Sequence, residues 1–230
     1  MTKNAAQKSL QNHPEGFPED YHDYIFKDGK LVGDFDNMYR YAKGIPWDQD
    51  KHCERWYTEV GMLMLRDRGP YESILEVGCG LGFIARKLKE ATRSGKGVVD
   101  AFDVSPEAIG KASRLHTGVA FYVDNIVNHC FRPRQQYDLV VVKDVFWYVF
   151  EHMETVVRNL KACVRPGGHL YIGQSFPDLN SAFVGKKIIP NPEALIAYLS
   201  DYQPVFTALL RNHTLSKDGP TLHFLGLRTR

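Results

Sequence analysis

The sequence lacks the cysteine patterns that mark disulfide scaffolds and metal sites. Its 230 residues include only four cysteines, and these form neither a Cys-x-x-Cys pair nor a mixed cysteine–histidine zinc pattern. They are Cys53, Cys79, Cys130 and Cys163. The nine histidines are scattered, so no metal site is predicted. Widely spaced thiols of this kind are typical of a reduced, cytoplasmic protein.

A strong charge of one sign and long hydrophobic runs are also absent. The chain has 29 Lys and Arg against 27 Asp and Glu, and a net charge of +2 does not favour nucleic acid or an anionic membrane as partner. The longest apolar runs, Leu139–Val142 and Val145–Phe150, are too short to span a membrane. The polar segment Met1–Leu10 has no apolar core of a secretory signal. We therefore expect neither a nucleic acid nor a membrane to be its partner.

What the sequence does contain is an alternation of short apolar runs and helical segments. The predicted strands are Ser73–Val77, Gly97–Phe102, Val119–Val123, Tyr137–Val142 and His169–Gln174. The predicted helices are Asp50–Arg68, Phe83–Ala91, one that begins at Ser105, Glu151–Cys163 and Glu193–Leu199. Strands that alternate with helices predict an α/β fold with a doubly wound, Rossmann-like parallel sheet. Two further strands, Pro204–His213 and Thr221–Arg228 around the turn Lys217–Gly219, add an antiparallel C-terminal hairpin and bring the sheet to seven strands.

The predicted organisation has three parts. Residues 1–20 form a loose N-terminus, residues 21–69 form a helical or irregular N-terminal cap, and residues 70–230 form the core. The stretch 21–57 is dense in aromatic residues without helical or strand periodicity, and Gly29, Gly33 and Gly44 are potential hinges. We expect this stretch to be a lid that closes over a small ligand. The alternative is that its rings only fasten the N-terminus to the core.

The segment Glu76–Gly82 is the strongest local motif. Its three glycines, Gly78, Gly80 and Gly82, follow a predicted strand and precede a helix, where glycine permits a tight turn and close approach of a ligand to the backbone. The G-x-G-x-G spacing differs from the dinucleotide pattern, which has its third glycine where this chain has Phe83. The acidic Glu76 is unusual at a buried strand end and needs hydrogen-bond donors there. The alternative is a glycine-rich turn without a ligand.

Acidic and amide side chains end the next two predicted strands. Asp103 follows the second strand, 21 residues after Gly82, where an acidic residue meets ribose hydroxyls in this fold class. The alternative role of a helix cap is better filled by Ser105. Asp124 and Asn125 end the third strand, and they suit either an adenine amino group or an ordinary turn.

Four segments in order resemble the motifs of class I S-adenosylmethionine-dependent methyltransferases. Ile74–Gly82 is similar to that family's glycine motif and Asp103–Ala108 to its acidic ribose motif. Tyr137–Val145 is similar to its fourth-strand motif, and Leu160–Gly168 to the segment that leads into its fifth strand. The resemblance covers about residues 70–228. It implies a Rossmann-like methyltransferase core at 70–230 that binds S-adenosyl-L-methionine as cofactor.

The resemblance and the topology together give two sets of site residues. The cofactor set is Glu76, Gly78, Cys79, Gly80, Gly82, Asp103, Val104, Ser105, Asp124, Asn125, Ile126 and Lys143. The acceptor set is Tyr39, Trp47, His52, Asp144, Trp147, Tyr148 and Gln174. Core packing is an alternative for Trp147 and Tyr148. No catalytic residue is assigned, because a sulfonium methyl is already activated and a general base is needed only if the nucleophile arrives protonated.

A narrower resemblance concerns the segments that precede the glycine motif. Ile45–Asp48 and Trp56–Glu59 resemble nodulation-type N-methyltransferases of amino sugars, whereas Lys143–Tyr148 departs from the Ser-Glu-Val-Leu-Tyr-Tyr stretch of that family. The expected reaction moves a methyl group to an N or O atom of a small polar molecule, such as a sugar or another biosynthetic intermediate. The alternatives are an NAD(P)-dependent oxidoreductase and a non-catalytic nucleotide-cofactor-binding protein. The expected assembly is a monomer or a homodimer.

Overall fold

A computed structural model describes residues 16–177, 184–211 and 218–229. The strands are β1 (Phe26–Lys27), β2 (Lys30–Leu31), β3 (Ser73–Val77), β4 (Val98–Asp103), β5 (Ala120–Val123), β6 (Tyr137–Lys143), β7 (Val164–Pro177), β8 (Tyr202–Leu210) and β9 (Asp218–Arg228). The helices are α1 (His22–Ile25), α2 (Phe35–Tyr41), α3 (Gln49–His52), α4 (Trp56–Arg68), α5 (Phe83–Leu88), α6 (Pro106–Leu115), α7 (Met153–Cys163) and α8 (Pro192–Ala197). No helix in these ranges is long and apolar enough to cross a bilayer.

The seven strands β3 to β9 form one sheet in the order β5-β4-β3-β6-β7-β9-β8. The pairs among β3 to β7 are parallel, and β9 runs antiparallel to both β7 and β8. The predicted Rossmann-like sheet with an antiparallel C-terminal hairpin is therefore confirmed. Part of the predicted hairpin turn, at residue 217, lies outside the described residues.

Burial on both faces explains the nearly unbroken apolar runs of the central strands. In β6, Leu139, Val140, Val141 and Val142 are each at most 1% exposed, because helices cover both sides of the sheet. Val77 of β3 lies opposite Val142 of β6, so these two strands end level with each other. The residues that follow their carboxyl ends therefore meet at one edge of the sheet, which is where ligands bind in such folds.

The N-terminal cap is more ordered than its irregular sequence suggests. It contains α1, the short β1–β2 hairpin, α2 and α3. Tyr24, Ile25 and Met38 are at most 4% exposed and pack in one cluster with Leu81 and Ala108 of the core. Residues 1–15 of the predicted loose N-terminus lie outside the described residues. The division of the chain at residues 69 and 70 stays a prediction.

Two of the differences from the predicted element boundaries are large, and the others are shifts of about one to three residues. The single helix predicted over Asp50–Arg68 is two helices, α3 and α4, because the backbone is extended at Arg55, immediately before α4 begins. The fifth core strand, β7, begins at Val164 rather than at His169. It follows α7 directly, and its first residue already pairs with Tyr137 of β6.

Candidate cofactor and acceptor site

The glycine loop between β3 and α5 packs tightly against neighbouring side chains at each of its three glycines. Gly78, Gly80 and Gly82 have φ angles of 70°, 52° and 79°, in the left-handed region that favours glycine. A Cβ atom on Gly78 would lie 2.6 Å from Val145, and one on Gly82 would lie 2.6 Å from Phe121. Glycine is therefore required at these positions by the backbone and by the available space.

Asp103, at the end of β4, holds the glycine loop against the next turn. Its Oδ2 atom accepts a hydrogen bond from the Gly80 N–H at 2.9 Å, and its Oδ1 atom accepts one from the Ser105 N–H at 3.0 Å. Burial raises the pKa of the Asp103 carboxyl, and the backbone N–H groups oppose that shift. A carboxylate has about four lone-pair sites, so acceptor capacity remains for hydroxyl groups of a ligand.

Glu76, near the end of β3, is a buried carboxyl with one free oxygen. It is 3% exposed, and its Oε2 atom has no hydrogen-bond partner among the described residues. Burial raises the pKa of Glu76 to about 8, although the nearby Lys143 favours the charged form. A buried polar atom without a hydrogen-bond partner destabilises the folded protein, so a ligand group that donates a hydrogen bond to Oε2 would remove this cost.

A cavity of about 540 Å³ joins most of the predicted site residues. From the predicted cofactor set it is lined by Glu76, Gly78, Cys79, Gly80, Asp103, Val104, Asp124, Asn125, Ile126 and Lys143. From the predicted acceptor set it is lined by Tyr39, Trp47, His52, Asp144, Trp147 and Tyr148. The two sets therefore share one continuous space, whereas the role of each residue stays a prediction.

Lys143 and Asp144 form an ion pair in this cavity, directly after the buried part of β6. The Lys143 Nζ and Asp144 Oδ2 atoms are 2.5 Å apart, and the Ser175 N–H donates to Asp144 Oδ1 at 2.7 Å. Burial opposes both charges, but each partner stabilises the other, so the pKa of Lys143 is raised and that of Asp144 is lowered. Asp144 has a φ angle of 54°, which is strained for a non-glycine residue and is found preferentially at functional positions.

His52 lines the same cavity from the cap. Burial and the positive charges of Arg55 and Lys143 lower its pKa, so the imidazole is neutral at pH 7. A neutral imidazole can accept a proton, which is the chemistry of a general base. Among the described residues, no cluster of three or more histidine, cysteine, aspartate or glutamate side chains is arranged to hold a metal ion.

Three residues of the predicted sets lie outside the lining of the cavity. Gly82 precedes α5 and packs against Phe121, and the Ser105 hydroxyl caps α6 by accepting from the Ala108 N–H at 3.1 Å. Gln174 is fully buried, and its Oε1 atom accepts from the Phe146 N–H at 3.2 Å. Side chains alternate along a strand, so Ser175 faces the cavity where the sequence predicted Gln174.

Several residues that line the cavity are missing from the two predicted site sets, although Gly33, Phe35 and Gln49 lie within the predicted lid 21–57. They include Gly33, Phe35, Gln49, Phe83, Val127 and His152. The most closely engaged is Gln49, whose Oε1 atom accepts from the Leu81 N–H of the glycine loop at 2.9 Å. Its only signal in the sequence is its position directly after Ile45–Asp48, the segment that carried the narrower resemblance.

The chain is similar to a methyltransferase domain family and to curated methyltransferase sequences. A methyltransferase domain family matches residues 75–170. A ubiquinone biosynthesis O-methyltransferase of Vibrio vulnificus is 30% identical over 132 residues, which are 52% of this chain and 53% of the relative. Nodulation protein S of Bradyrhizobium diazoefficiens is 29% identical over 136 residues, which are 56% of this chain and 62% of the relative. The chain thus spans between half and two thirds of the length of these two relatives.

Solved structures share the fold at lower sequence identity. The N-methyltransferase NodS from Bradyrhizobium japonicum WM9, in complex with S-adenosyl-L-homocysteine, has a TM-score of 0.63 and 21% identity, covering 91% of this chain and 97% of that one. Magnesium protoporphyrin IX methyltransferase from Synechocystis PCC 6803, with bound S-adenosylmethionine, has a TM-score of 0.58 and 18% identity, covering 94% and 100%. These structures show the Rossmann-like methyltransferase fold, and together with the domain match at residues 75–170 and the sequence relatives they support the resemblance to class I S-adenosylmethionine-dependent methyltransferases and to NodS.

Proposed function

We propose that this protein transfers a methyl group from S-adenosylmethionine to an N or O atom of a small polar molecule. The observation that carries the proposal is the single cavity of about 540 Å³, which joins the glycine loop to a polar, aromatic pocket. A space of this size suits a small ligand beside the cofactor, because ligand pockets commonly measure about 300–1,000 Å³. The N-methyltransferase and O-methyltransferase relatives support methyl transfer and leave both acceptor atoms as candidates.

The residues at the cofactor end fit S-adenosylmethionine. The free Glu76 Oε2 atom suits the ammonium of its amino-acid portion, and the remaining acceptor capacity of Asp103 suits its ribose hydroxyls. Asp124 and Asn125, which follow β5 on the same cavity, would face the adenine ring. When bound, this cofactor supplies a methyl group that is already activated for transfer.

The work of the chain's own residues is then to orient the acceptor and to accept its proton. Asp144, held by the Ser175 N–H and by Lys143, offers a fixed carboxylate to a hydroxyl or amino group of the acceptor. His52 Nδ1 or Nε2 can take the proton that the nucleophile loses, because its lowered pKa keeps the ring neutral. The aromatic rings of Trp47 and Tyr148 exclude water from this end of the cavity.

A binding experiment with two cofactors tests the first half of the proposal. We expect S-adenosylhomocysteine to raise the thermal unfolding temperature of the protein, because a ligand that binds only the native state stabilises it. NAD is the matched control, since it also binds Rossmann-like folds through a ribose-binding carboxylate. Stabilisation by NAD without stabilisation by S-adenosylhomocysteine would show that the proposal is wrong.

An acceptor screen tests the second half. Amino sugars, phosphate esters and phenols are supplied with S-adenosylmethionine, and release of S-adenosylhomocysteine is followed with a homocysteine-detecting assay. We expect turnover with at least one amine or hydroxyl compound and loss of that turnover in the Asp144→Ala variant. Turnover that is equal in the presence and absence of every acceptor would contradict a small-molecule methyltransferase.

A further inference from the structure

The turn from Ile45 to Gln49 joins the two ends of the cavity through a constrained backbone. Trp47 has a φ angle of 53° and Asp48 one of 46°, so two consecutive non-glycine residues adopt the left-handed conformation. Such residues persist only where surrounding contacts hold them, and they cluster at ligand-binding and switch regions. The contacts that hold this turn lie on the cofactor side at one end and on the acceptor side at the other.

On the cofactor side, Gln49 lies against the glycine loop. Its Oε1 atom accepts from the Leu81 N–H at 2.9 Å, and its Nε2 atom donates to the Tyr39 hydroxyl at 2.9 Å. A Cβ atom on Gly80 would lie 2.6 Å from Gln49 Oε1 and 2.6 Å from the Tyr39 hydroxyl. A ligand that approaches Gly80 therefore meets the Gln49 side chain directly.

On the acceptor side, Trp47 forms part of an aromatic wall. Its ring centroid is 5.6 Å from that of Tyr148, which follows β6, and 6.4 Å from that of Tyr39. Phe35 meets Tyr148 edge-on at 5.4 Å. All four of these aromatic residues line the cavity, so a displacement of Trp47 changes the shape of the acceptor pocket.

The body of the cap is anchored separately from this turn. Asp36 of α2 accepts from the Ser105 hydroxyl at 2.9 Å and from the Glu107 N–H at 2.8 Å. Lys111 of α6 donates to the Tyr39 carbonyl oxygen. These bonds hold α2 on α6 and do not involve residues 45–49, which meet α2 through side chains, at the Tyr39 hydroxyl and ring.

We infer that Gln49 is a positioning residue through which cofactor binding at the glycine loop sets the position of Trp47 in the acceptor pocket. The inference rests on the proposed function, because it takes S-adenosylmethionine as the ligand of the loop. Only Asp48 lies between Gln49 and Trp47, and the φ angles of Asp48 and Trp47 are both in the left-handed region. A displacement of the Gln49 side chain by the cofactor is therefore passed on to the Trp47 ring, and the acceptor pocket reaches its final shape with cofactor bound.

The test follows Trp47 emission while S-adenosylhomocysteine is titrated, with affinity measured in parallel by calorimetry. Subtracting the signal of Trp47→Phe from that of the wild type removes the contributions of Trp56 and Trp147. We expect this difference signal, which reports Trp47 alone, to change saturably with S-adenosylhomocysteine. Gln49→Leu has a similar size without the hydrogen bonds, and we expect it to bind the probe up to about tenfold more weakly. At saturation, most of the Trp47 change should be lost in this variant.

Two further variants separate positioning from stability. Gln49→Glu keeps an oxygen that can accept from the Leu81 N–H, and we expect it to retain the Trp47 change. Gln136→Leu alters an exposed glutamine ahead of β6 and serves as the matched control. If Gln49→Leu fails to fold, Tyr39→Phe removes the hydroxyl partner of Gln49 and should still reduce the change.

The outcomes distinguish this inference from the proposed function. A wild-type protein that binds S-adenosylhomocysteine without a Trp47 change, or a Gln49→Leu variant with the full wild-type change, overturns the inference alone. A Gln49→Glu variant that loses the change while Gln49→Leu keeps it also overturns it. A wild-type protein that shows no binding by calorimetry overturns the proposed function, and this inference with it.

Discussion

At the scale of single residues, two buried carboxyls of neighbouring strands differ in how they are satisfied. Asp103 is 8% exposed and accepts two backbone hydrogen bonds, from Gly80 and Ser105. Glu76 is 3% exposed and has one oxygen without a partner among the described residues. Asp103 is therefore suited to hold structure and ligand together, whereas Glu76 is suited to change its charge when a ligand arrives.

Replacing Asp103 with alanine is expected to weaken cofactor binding. Loss of a charge-assisted hydrogen bond typically costs about 1.5–3 kcal/mol, which corresponds to roughly a tenfold to 150-fold higher Kd for S-adenosylhomocysteine. Isothermal titration calorimetry measures this change. Asp67→Ala, which removes an exposed carboxylate from α4, is the control. An unchanged Kd in a folded Asp103→Ala protein would leave Asp103 as a turn residue only.

Replacing Glu76 with glutamine is expected to change how stability depends on pH. The pKa of Glu76 is raised to about 8 by burial, so the folded protein keeps a proton that the unfolded chain loses above its ordinary pKa. The folded state then binds more protons than the unfolded state, and stability falls as the pH rises through this window. The slope reaches up to about 1.4 kcal/mol per pH unit for one proton.

Urea unfolding at pH 5 to 8 measures this effect as the difference between the wild type and Glu76→Gln. We expect the wild type to lose stability relative to the variant as the pH increases. Parallel stability curves for the two proteins would show that Glu76 is ionised in the folded state throughout.

The positions of several cavity residues could be predicted because each lies at or just after the end of a strand in a recognisable local pattern. Glu76, Gly78 and Asp103 stand at strand–loop boundaries that are visible in the sequence, and all three line the cavity. Gln49 was not predictable, because its role depends on a contact with Leu81, 32 positions away. The sequence predicted Gln174 at the acceptor pocket because it shows where the strand ends. It does not show to which face of the sheet the Gln174 side chain points.

At the scale of elements, the junction between α2 and α6 shows how the cap is attached to the core. Asp36 accepts from the Glu107 N–H in the first turn of α6, where helix N–H groups have no intrahelical partner. Burial would raise the pKa of Asp36, but the bonds from Glu107 and Ser105 and the charge of Arg40 outweigh it and lower the pKa. The cap therefore supplies part of the N-terminal capping of a core helix.

Asp36→Ala is expected to destabilise the protein by roughly 0.5–2 kcal/mol, the usual effect of removing a helix-capping acceptor. The contribution should decrease at low pH, because a carboxyl with a lowered pKa stabilises above its unfolded pKa and loses this effect as it is protonated. Urea unfolding at pH 7 and at pH 3 measures both effects. Asp23→Ala, on the exposed surface of α1, is the control. Equal stability of Asp36→Ala and Asp23→Ala at pH 7 would contradict the capping role.

The order and type of the core elements could be predicted, whereas those of the cap could not. Burial gives β6 an unbroken apolar run and α7 a helical spacing of apolar residues. The observed bounds of these elements, Tyr137–Lys143 and Met153–Cys163, therefore agree closely with the prediction from the sequence. In the cap, α1 and the β1–β2 hairpin are too short to show a period and are stabilised by packing on Leu81 and Ala108. Tertiary contacts decide such elements, and a single sequence does not display them.

At the scale of the whole molecule, the cap both packs on the core and lines its cavity. Met38 and Tyr39 are at most 5% exposed, and Tyr39 also lines the cavity together with Trp47 and His52. Gly29, Gly33 and Gly44 have φ angles of 71°, 68° and 81°, so the predicted hinge positions do need glycine. A role of residues 21–57 as an acceptor-side lid stays a proposal.

A shortened chain that begins at Asp50 tests whether residues 21–57 act as a lid or only as a structural cap. We expect it to fold with a lower unfolding temperature, because removal of the cap exposes Leu81 and Ala108 and deletes the Asp36 bonds. It should bind S-adenosylhomocysteine more weakly and should not methylate an acceptor that the full chain uses. Circular dichroism, calorimetry and the methyl-transfer assay measure these three properties.

Each alternative result has a distinct meaning. Unfolded or insoluble protein would show that the cap is required to complete the core. Normal turnover by the shortened chain would show that the lid assignment is wrong. The full chain, measured under the same conditions, provides the reference for all three properties.

The position of β9 in the sheet also has a consequence for the order in which the protein is synthesised and folds. This last strand lies between β7 and β8 and contributes the buried Leu222, Phe224 and Leu225. While a ribosome still holds Asp218–Arg228, β8 has no neighbour in the sheet and β7 has an open edge. Open strand edges and exposed core residues favour aggregation and engagement by chaperones. Completion of the sheet therefore waits until β9 has left the ribosome, after β7 and β8 have already been synthesised.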